Sequence, residues 1–219
     1  MKKLDSSLKN MLLVLTGVTV LAVAILAYFN ELTKEPIAKA NMQILNEALM
    51  NVVPEFDNNP VEESDTIFNT QGDTKVVDFI IYPAKKDGKW IGSAVQAASL
   101  GFGGEMKILV GFDEEGKVYN YYLLSHTETP GLGSKADVWF KEGEPGNIIG
   151  KSPGDKPLAV DKDGGEVNSI TASTITTRAF LNAVNAAYKA YLGGEVEGTT
   201  GATTDATTSA TESETTETK

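Results

Sequence analysis

A long, predominantly hydrophobic run lies near the N-terminus of the chain. Positions 11–29 form a run of nineteen residues that contains no charged side chain. At about 1.5 Å per residue, a helix of this length comes close to crossing the hydrocarbon core of a bilayer. Because the run is longer than the apolar segment of about 7–15 residues that is typical of signal peptides, it predicts a retained membrane anchor. Cleavage near Ala22-Val23-Ala24 is the alternative.

Charges on the two sides of this run predict its orientation. Lysines stand at positions 2, 3 and 9 before the run, whereas acidic and basic residues are mixed after it. Because positively charged flanks stay in the cytoplasm, we expect residues 1–30 to form a cytoplasmic N-terminus and a single-pass anchor in the cell membrane. The main domain is then extracytoplasmic.

Helical spacing of apolar residues continues after the anchor up to Pro54 and predicts an amphipathic, core-packing helix. From Thr74 onward the period changes to that of strands, with apolar runs at 76–82, 90–98, 106–112 and 118–124. Short polar turns with glycine separate the first two runs and the last two. This pattern predicts two hairpins in an antiparallel meander with one buried face.

A last helical pattern follows a cluster of hydroxyl residues. Apolar residues recur at three- and four-residue spacing from Ala179 to Leu192, and Gly193-Gly194 ends the pattern. The N-terminus of a helix favours an anion, and the short side chains of residues 169–177 would let a phosphate approach closely. Serine and threonine are also ordinary helix caps, so that the pattern alone leaves both interpretations open.

Composition excludes several kinds of chemistry. The chain has no cysteine, which excludes disulfides, cysteine-ligated iron–sulfur clusters and a cysteine nucleophile, so that redox work requires a bound organic cofactor. A formal net charge of −11 disfavours a nucleic-acid partner. With His126 as its single histidine, the chain offers little support for a metal site or a catalytic triad, and we predict neither.

Three motifs follow one another along the chain, namely Gly101 to Asp113, His126 to Gly133, and Val167 to Thr174. In this order they resemble the FMN-binding domain family. Their order and spacing resemble the G subunit of the Rnf electron-transport complex and, less closely, the C subunit of the sodium-translocating NADH:quinone reductase. The resemblance extends from about the anchor to Leu192. Together the motifs are far more specific than any one of them.

The resemblance implies a fold and a cofactor site. The fold is α+β, with a transmembrane helix followed by an antiparallel-sheet FMN-binding domain with packed helices at 31–193. In the family, the last threonine of the third motif carries FMN through a phosphoester bond, and here that residue is Thr174. The expected cofactor-binding residues around it are Thr171, Ala172, Ser173, Ile175 and Thr176, together with the loop residues Glu128, Thr129, Gly131, Leu132 and Gly133.

The third motif departs from the family pattern at three positions. Asn168, Ala172 and Ser173 replace the usual acidic residue, glycine and alanine, while the acceptor threonine is intact. A closer literal copy of the motif ends at Thr203, inside a Thr-rich segment at 194–219 that we predict to be a disordered tail. Because no apolar helix follows the copy, we expect Thr174 to be the acceptor.

Several other side chains are weaker candidates for contact with the cofactor. Arg178 is the only arginine, one helical turn after Thr174, and could pair with a phosphoester or be a solvated helix residue. Aromatic residues could stack on the flavin, although aromatics in strands are more often core residues. They are Phe102, Tyr121, Tyr122 and Trp139.

The resemblance implies an electron-transfer subunit with covalent FMN in an ion-translocating ferredoxin:NAD oxidoreductase. Its expected partners are the membrane, other membrane and peripheral subunits of an Rnf-like complex, and a flavin transferase during maturation. A single anchor cannot form an ion channel, so that the ion path must lie on other subunits. The alternatives are the quinone-reductase C subunit, a stand-alone extracellular flavoprotein and, in a different class, a non-catalytic Thr-rich surface protein.

Overall fold

The computed structural model describes residues 8–71, 74–154 and 156–193. The predicted tail and its motif copy at Thr203 lie outside these ranges. The helices are α1 (Leu8–Val52), α2 (Ala136–Trp139) and α3 (Thr174–Tyr191). The strands are β1 (Asp65–Gln71), β2 (Thr74–Lys86), β3 (Lys89–Leu100), β4 (Glu105–Asp113) and β5 (Val118–Ser125). Two 3-10 turns, at Gly133–Lys135 and Asp161–Asp163, complete the order.

The chain divides into two compact units, of which one ends at Leu45 and the other begins at Asn46. In the first unit, α1 contains a window of 18 residues with a mean hydropathy of 2.5 and no buried residue. Within the described residues, α1 is the one helix whose length and composition allow it to cross a membrane. A candidate span is therefore present where the sequence predicts the anchor.

The second unit begins with the last turns of α1, which pack against β4. Leu49 and Val52 are buried, and the backbone of Gly111 lies so close to the Val52 carbonyl that a Cβ would collide with it. The side-chain amide of Asn120 donates a hydrogen bond of 2.9 Å to the Asn51 carbonyl. The predicted helix before Pro54 is present, but core packing is confined to its last turns, since Ile37 and Ile44 are exposed.

The five strands form one antiparallel sheet in the order β1-β2-β3-β4-β5, and the predicted meander is confirmed. In the centre of the sheet Val95 pairs with Val110, which pairs with Tyr121 on the other side. β1 was not predicted. Its sequence, DTIFNTQ, is largely polar and has no alternating apolar pattern, because this strand lies at the edge of the sheet.

The main core lies between the sheet and α3. Phe140 stacks on Phe180 with ring centroids 4.1 Å apart, and Tyr121 contacts Phe180 edge to face at 4.8 Å. The Tyr121 hydroxyl donates to the Ala136 carbonyl and accepts from the Phe140 N–H, and burial raises the pKa of this phenol. Tyr121 is therefore a core residue and not a stacking partner for a cofactor.

Candidate functional site

The hydroxyl-rich segment forms the first turn of α3. The helix begins at Thr174, and Ser173 precedes it. Thr174 is half-buried, whereas Thr176 and Thr177 are fully buried. The predicted helix is confirmed, and it starts ahead of the apolar pattern because the hydroxyls of its first turn have partners inside the protein.

Hydrogen bonds of Thr177 and Ser173 fix the backbone just before the helix. The Thr177 hydroxyl donates to the Ser173 carbonyl at 3.0 Å and accepts from the Ile170 N–H at 3.1 Å. The Ser173 N–H donates to the Ile170 carbonyl at 3.0 Å. These bonds close a tight bend just before Thr174, so that the position of the threonine is fixed by buried groups on both sides.

Ala172 lies at the apex of this bend in the left-handed region, with φ of +60°. A side chain disfavours this region, whereas glycine adopts it freely. The backbone thus explains why a glycine is expected at this position of the motif. In this chain the bend is made with a strained alanine.

Ser173 does not act as an ordinary helix cap. Its side chain makes no capping hydrogen bond to the backbone of the first turn. The Ser173 hydroxyl instead lies 3.1 Å from the hydroxyl of Thr176. N-capping by Ser173, one of the two interpretations of the hydroxyl run, therefore does not describe this segment.

A lysine side chain contacts the Thr174 hydroxyl. The Lys162 ammonium donates a hydrogen bond of 2.9 Å to Oγ1 of Thr174. Lys162 belongs to the 3-10 turn at Asp161–Asp163, twelve residues earlier in the chain. The expected acceptor is thus in contact with a positive charge that no motif in the sequence indicates.

Hydrogen bonds tie this 3-10 turn to the segment before α3. The Asp161 N–H donates to the Val167 carbonyl at 2.8 Å, and the Asp161 carboxylate accepts from the Ser169 N–H at 3.1 Å. Partial desolvation raises the pKa of Asp161, but the hydrogen bonds from Ser169 and Lys162 outweigh it and hold the pKa below its ordinary value. The carboxylate is accordingly in its charged form at neutral pH.

Arg178 anchors the other end of the same turn. Its guanidinium makes two hydrogen bonds, of 2.6 and 2.7 Å, to the Asp163 carboxylate. These hydrogen bonds lower the pKa of Asp163 and raise that of Arg178. In the structure Arg178 is therefore one half of a bidentate ion pair, and a contact with a phosphoester stays untested.

Glu128 is a buried carboxylate that joins the first two motifs to the first turn of α3. It is 6% exposed. Oε1 accepts a hydrogen bond of 3.0 Å from the Gly103 N–H, and Oε2 accepts one of 2.7 Å from the Thr176 hydroxyl. The first motif therefore contributes a backbone donor, the second a carboxylate, and the first turn of α3, just after the third motif, a hydroxyl to one hydrogen-bonded cluster.

Glycines of the first two motifs make room for this carboxylate. A Cβ on Gly101 would collide with Oε1 of Glu128, and a Cβ on Gly133 would collide with Oε2. The Gly103 backbone lies equally close to that of Thr127, whose hydroxyl donates to the Gly103 carbonyl at 2.9 Å. The glycine-rich motif is therefore required for close approach between two loops.

Three exposed apolar residues are next in sequence to residues of this cluster. Phe102 is 70% exposed, Leu132 is 40% exposed and Ile175 is 37% exposed. Each is next in sequence to a residue that touches Glu128. Phe102 lies between Gly101 and Gly103, Leu132 precedes Gly133, and Ile175 precedes Thr176. The cluster thus presents apolar groups to solvent beside a fixed polar interior.

The remaining predicted residues occupy defined places around this cluster. The Thr129 carbonyl accepts from the N–H groups of Leu132 and Ser134, at 3.2 and 3.3 Å. Gly131 has φ of +75°, a conformation that glycine readily adopts in a tight turn. Thr129, Gly131, Thr171 and Ala172 are exposed, whereas Gly133 is buried.

Two further aromatic candidates are placed differently. The Trp139 indole N–H donates to the Asn168 carbonyl at 2.9 Å, which ties the third motif to α2. The Asn168 side chain donates to the Pro145 carbonyl at 2.8 Å, a bond that the usual acidic residue could not make when ionised. Tyr122 lies half-buried on β5. Trp139 therefore supports the acceptor segment from the side.

His126 orders the start of the second motif. Its Nδ1 accepts a hydrogen bond of 3.3 Å from the Glu128 N–H, and its Nε2 lies 3.6 Å from the Asp137 carboxylate. In the neutral ring, this arrangement puts the proton on Nε2. The imidazole thus links the loop before Glu128 to α2.

Comparison with known proteins identifies the same region. Residues 101–189 match the family described as the FMN-binding domain. This match begins at Gly101 and contains Glu128, Lys162 and Thr174. The hydrogen-bonded cluster described above therefore lies within the matched residues.

Over most of its length the chain is similar to subunits of bacterial oxidoreductase complexes. It is 36% identical over 196 residues to the G subunit of the ion-translocating oxidoreductase complex of Aliivibrio fischeri (strain MJ11), covering 85% of this chain and 91% of the relative. The corresponding protein of Stutzerimonas stutzeri is 34% identical over 161 residues, with 71% and 68% covered. The G subunit of the Na(+)-translocating ferredoxin:NAD(+) oxidoreductase complex of Acetobacterium woodii is 30% identical over 189 residues, with 82% and 89% covered.

Proposed function

Because the chain belongs to the family of G subunits of ion-translocating oxidoreductase complexes, we propose that it is the FMN-carrying electron-transfer subunit of such a complex. The complex would be an Rnf-like ferredoxin:NAD oxidoreductase, in keeping with the name of the Acetobacterium relative. The observation that supports this most strongly is the cluster in which Glu128 joins Gly103 to Thr176, two residues after Thr174 in the first turn of α3.

The covalent attachment point in this proposal is Thr174, through a phosphoester. Its hydroxyl is at the first position of α3 and is half-buried, with Lys162 in contact. A phosphate at this place would lie at the positive end of the helix dipole, next to an ammonium group. The exposed Thr171 and Ala172 flank the approach to it.

The residues present also fit the other end of FMN. The isoalloxazine ring needs an apolar surface, and in this proposal it would contact the exposed side chains of Phe102, Leu132 and Ile175, which are next in sequence to residues of the Glu128 cluster. Thr129, Gly131 and Gly133 belong to the same loop and would shape its approach. When bound, FMN supplies one- and two-electron redox chemistry that the side chains of this chain cannot.

Glu128 and Thr176 have a supporting role in this proposal. Each carboxylate oxygen already accepts one hydrogen bond from the protein, and the Thr176 hydroxyl lies between Glu128 and Ser173. These groups keep the loop and the first turn of α3 at a fixed separation. A direct hydrogen bond from the flavin ring to the Glu128 carboxylate stays a prediction.

The proposal places the redox domain outside the cytoplasm, anchored by α1. The chain has no cysteine for iron–sulfur clusters and one candidate span among its described residues. The clusters, the NAD site and the ion path would therefore lie on partner subunits. A flavin transferase that uses FAD would attach the cofactor during maturation.

Flavin fluorescence in a denaturing gel tests the attachment. Full-length chain co-expressed with a flavin transferase should give a fluorescent band, and Thr174→Ala should remove it while Thr171→Ala keeps it. Fluorescence that survives in Thr174→Ala and disappears in Thr203→Ala would assign the acceptor to the tail. Co-purification with ferredoxin:NAD oxidoreductase subunits, rather than with a quinone reductase or with no partner, tests the assignment to the complex.

A further inference from the structure

The contact between Lys162 and Thr174 puts a positive charge on the oxygen that would form the phosphoester. The ammonium donates to Oγ1 at 2.9 Å. A hydroxyl oxygen has two lone pairs, so that one remains free for bond formation when the other accepts from the lysine. Because Lys162 is exposed, a second molecule can approach the pair from solvent.

Lys162 is the cation that contacts this hydroxyl, because the nearby arginine is bound to an aspartate. Arg178, one turn further along α3, is engaged by Asp163 in two hydrogen bonds. The Asp161 carboxylate attracts Lys162 but is itself bound to the Ser169 N–H. The two aspartates thus hold the turn in place from both ends, with the lysine between them.

We propose that Lys162 assists formation of the phosphoester bond at Thr174 and afterwards neutralises its charge. The inference rests on the proposed function, since it assumes that Thr174 is the acceptor and FAD the donor. In the step, the Thr174 oxygen bonds to the phosphorus of the FMN half of FAD, and the phosphoanhydride bond to AMP breaks. AMP leaves with the bonding electron pair, the hydroxyl proton passes to a base of the transferase, and nothing is oxidised or reduced.

Lys162 acts on this step through its charge. Negative charge develops on the attacking oxygen and on the phosphate oxygens, and a hydrogen-bonded ammonium at that place stabilises it. After attachment, the phosphodiester keeps one negative charge next to the same ammonium. Loss of the charge should therefore slow the attachment without altering the buried packing of α3.

Initial rates of flavin attachment test this role. The full-length chain, purified in detergent without flavin, would be incubated with FAD, Mg²⁺ and a flavin transferase, and covalent fluorescence would be followed in denaturing gels. Lys162→Met, which keeps an unbranched apolar stem, should lower the rate about tenfold, which corresponds to about 1.4 kcal/mol in the barrier. Lys162→Arg should recover most of the rate, and Lys189→Met, at an exposed position near the end of α3, should leave it unchanged.

Two further measurements show whether a lower rate in Lys162→Met comes from the lost charge or from a destabilised fold. The thermal midpoint of Lys162→Met should equal that of the unmodified chain, and its deficit in rate should shrink as salt screens the charge. If Lys162→Met destabilises the protein, Lys162→Gln at a temperature well below both midpoints provides the same comparison. A wild-type rate in a folded, uncharged variant would overturn the role of Lys162, whereas flavin attached in Thr174→Ala would overturn the acceptor itself.

Discussion

The Thr176 hydroxyl donates a hydrogen bond of 2.7 Å to the Glu128 carboxylate, across 48 residues of chain. The same carboxylate binds the Gly103 N–H and is almost entirely buried. A buried carboxylate is tolerated only when such donors satisfy it, so that each of the three segments depends on the other two. The geometry of the acceptor turn is therefore linked to the loops at the end of the sheet.

Replacement of Glu128 should show how much this cluster contributes to stability. Glu128→Ala removes two hydrogen bonds to a charged group and leaves the Gly103 N–H without its acceptor, so that we expect a loss of about 2–4 kcal/mol in the free energy of unfolding. Glu128→Gln keeps the shape and one acceptor oxygen and should lose less. Urea unfolding of the full-length chain in detergent measures both variants. Equal stability of Glu128→Ala and the unmodified chain would contradict a structural role for the cluster.

Glu128→Gln also distinguishes a structural role of Glu128 from an effect of its charge on the midpoint potential of FMN. If the carboxylate lies beside the flavin ring, removal of its charge should raise the midpoint potential of attached FMN, since a nearby negative charge disfavours reduction. At about 59 mV per 1.4 kcal/mol, even a difference of about 1 kcal/mol is measurable by redox titration. Covalent attachment should persist in this variant. An unchanged potential would limit Glu128 to the structural role that its two hydrogen bonds already define.

The Arg178–Asp163 pair should make stability depend on acid pH. Its hydrogen bonds hold the pKa of Asp163 below the unfolded value, so that the pair stabilises the fold above the unfolded pKa of about 3.9 and loses this contribution as pH falls through the folded pKa. Asp163→Asn should reduce the unfolding free energy by about 1 kcal/mol at pH 7. The difference from the unmodified chain should shrink below about pH 3.9.

The exposed pair of Glu105 and Lys107, 3.3 Å apart, offers a matched control for this experiment. Both side chains are largely exposed, and pairs of this kind contribute little. Glu105→Gln should therefore have a small effect at both pH values. A pH-independent loss in Asp163→Asn would show that the bidentate pair acts through shape and not through charge.

Most of the secondary structure could be predicted from the sequence, because periodicity reports which residues face a core. The four apolar runs became β2 to β5, and the pattern before Pro54 became the buried end of α1. β1 gave no signal because an edge strand needs few apolar residues. The burial of nearly every residue of β4 could not be predicted either. It arises because α3 covers one face of the strand and the end of α1 covers the other.

The sequence predicted most residues of the candidate site, but it did not predict which of them form hydrogen bonds with one another. Motif order identified Glu128, Thr174 and the glycines, whereas the hydrogen bond to Thr176 depends on how two loops approach each other in space. Lys162 carried no motif signal, because its contact with Thr174 arises from the fold of a 3-10 turn. The pairing of Arg178 with Asp163 gave no signal for the same reason, since it depends on the position of that turn.

The orientation of the anchor remains a prediction that proteolysis can check. Lysines precede the uncharged run, and α1 is apolar and long enough to cross a bilayer. Protease added to intact spheroplasts should digest the FMN-binding domain and spare an epitope tag at the N-terminus. A tag that is lost while the domain survives would reverse the orientation, and a mature chain that begins between Ala24 and Tyr28 would show a cleaved signal peptide.

Ala172→Gly should stabilise the protein, although alanine to glycine is usually destabilising. The left-handed conformation of Ala172 costs an alanine about 1–2 kcal/mol, whereas the extra freedom of glycine in the unfolded chain costs about 0.4–1 kcal/mol. The first effect is larger, so that we expect a net gain of about 0.5–1 kcal/mol. The same change at Ala186, buried within α3, should have the opposite sign, because glycine in a helix interior loses about 1 kcal/mol relative to alanine and leaves a gap in the core. Urea unfolding of both variants measures the two signs side by side. A loss of stability in Ala172→Gly would mean that residue 172 is not held in the left-handed region, and would remove the physical reason for a glycine at this place in the motif.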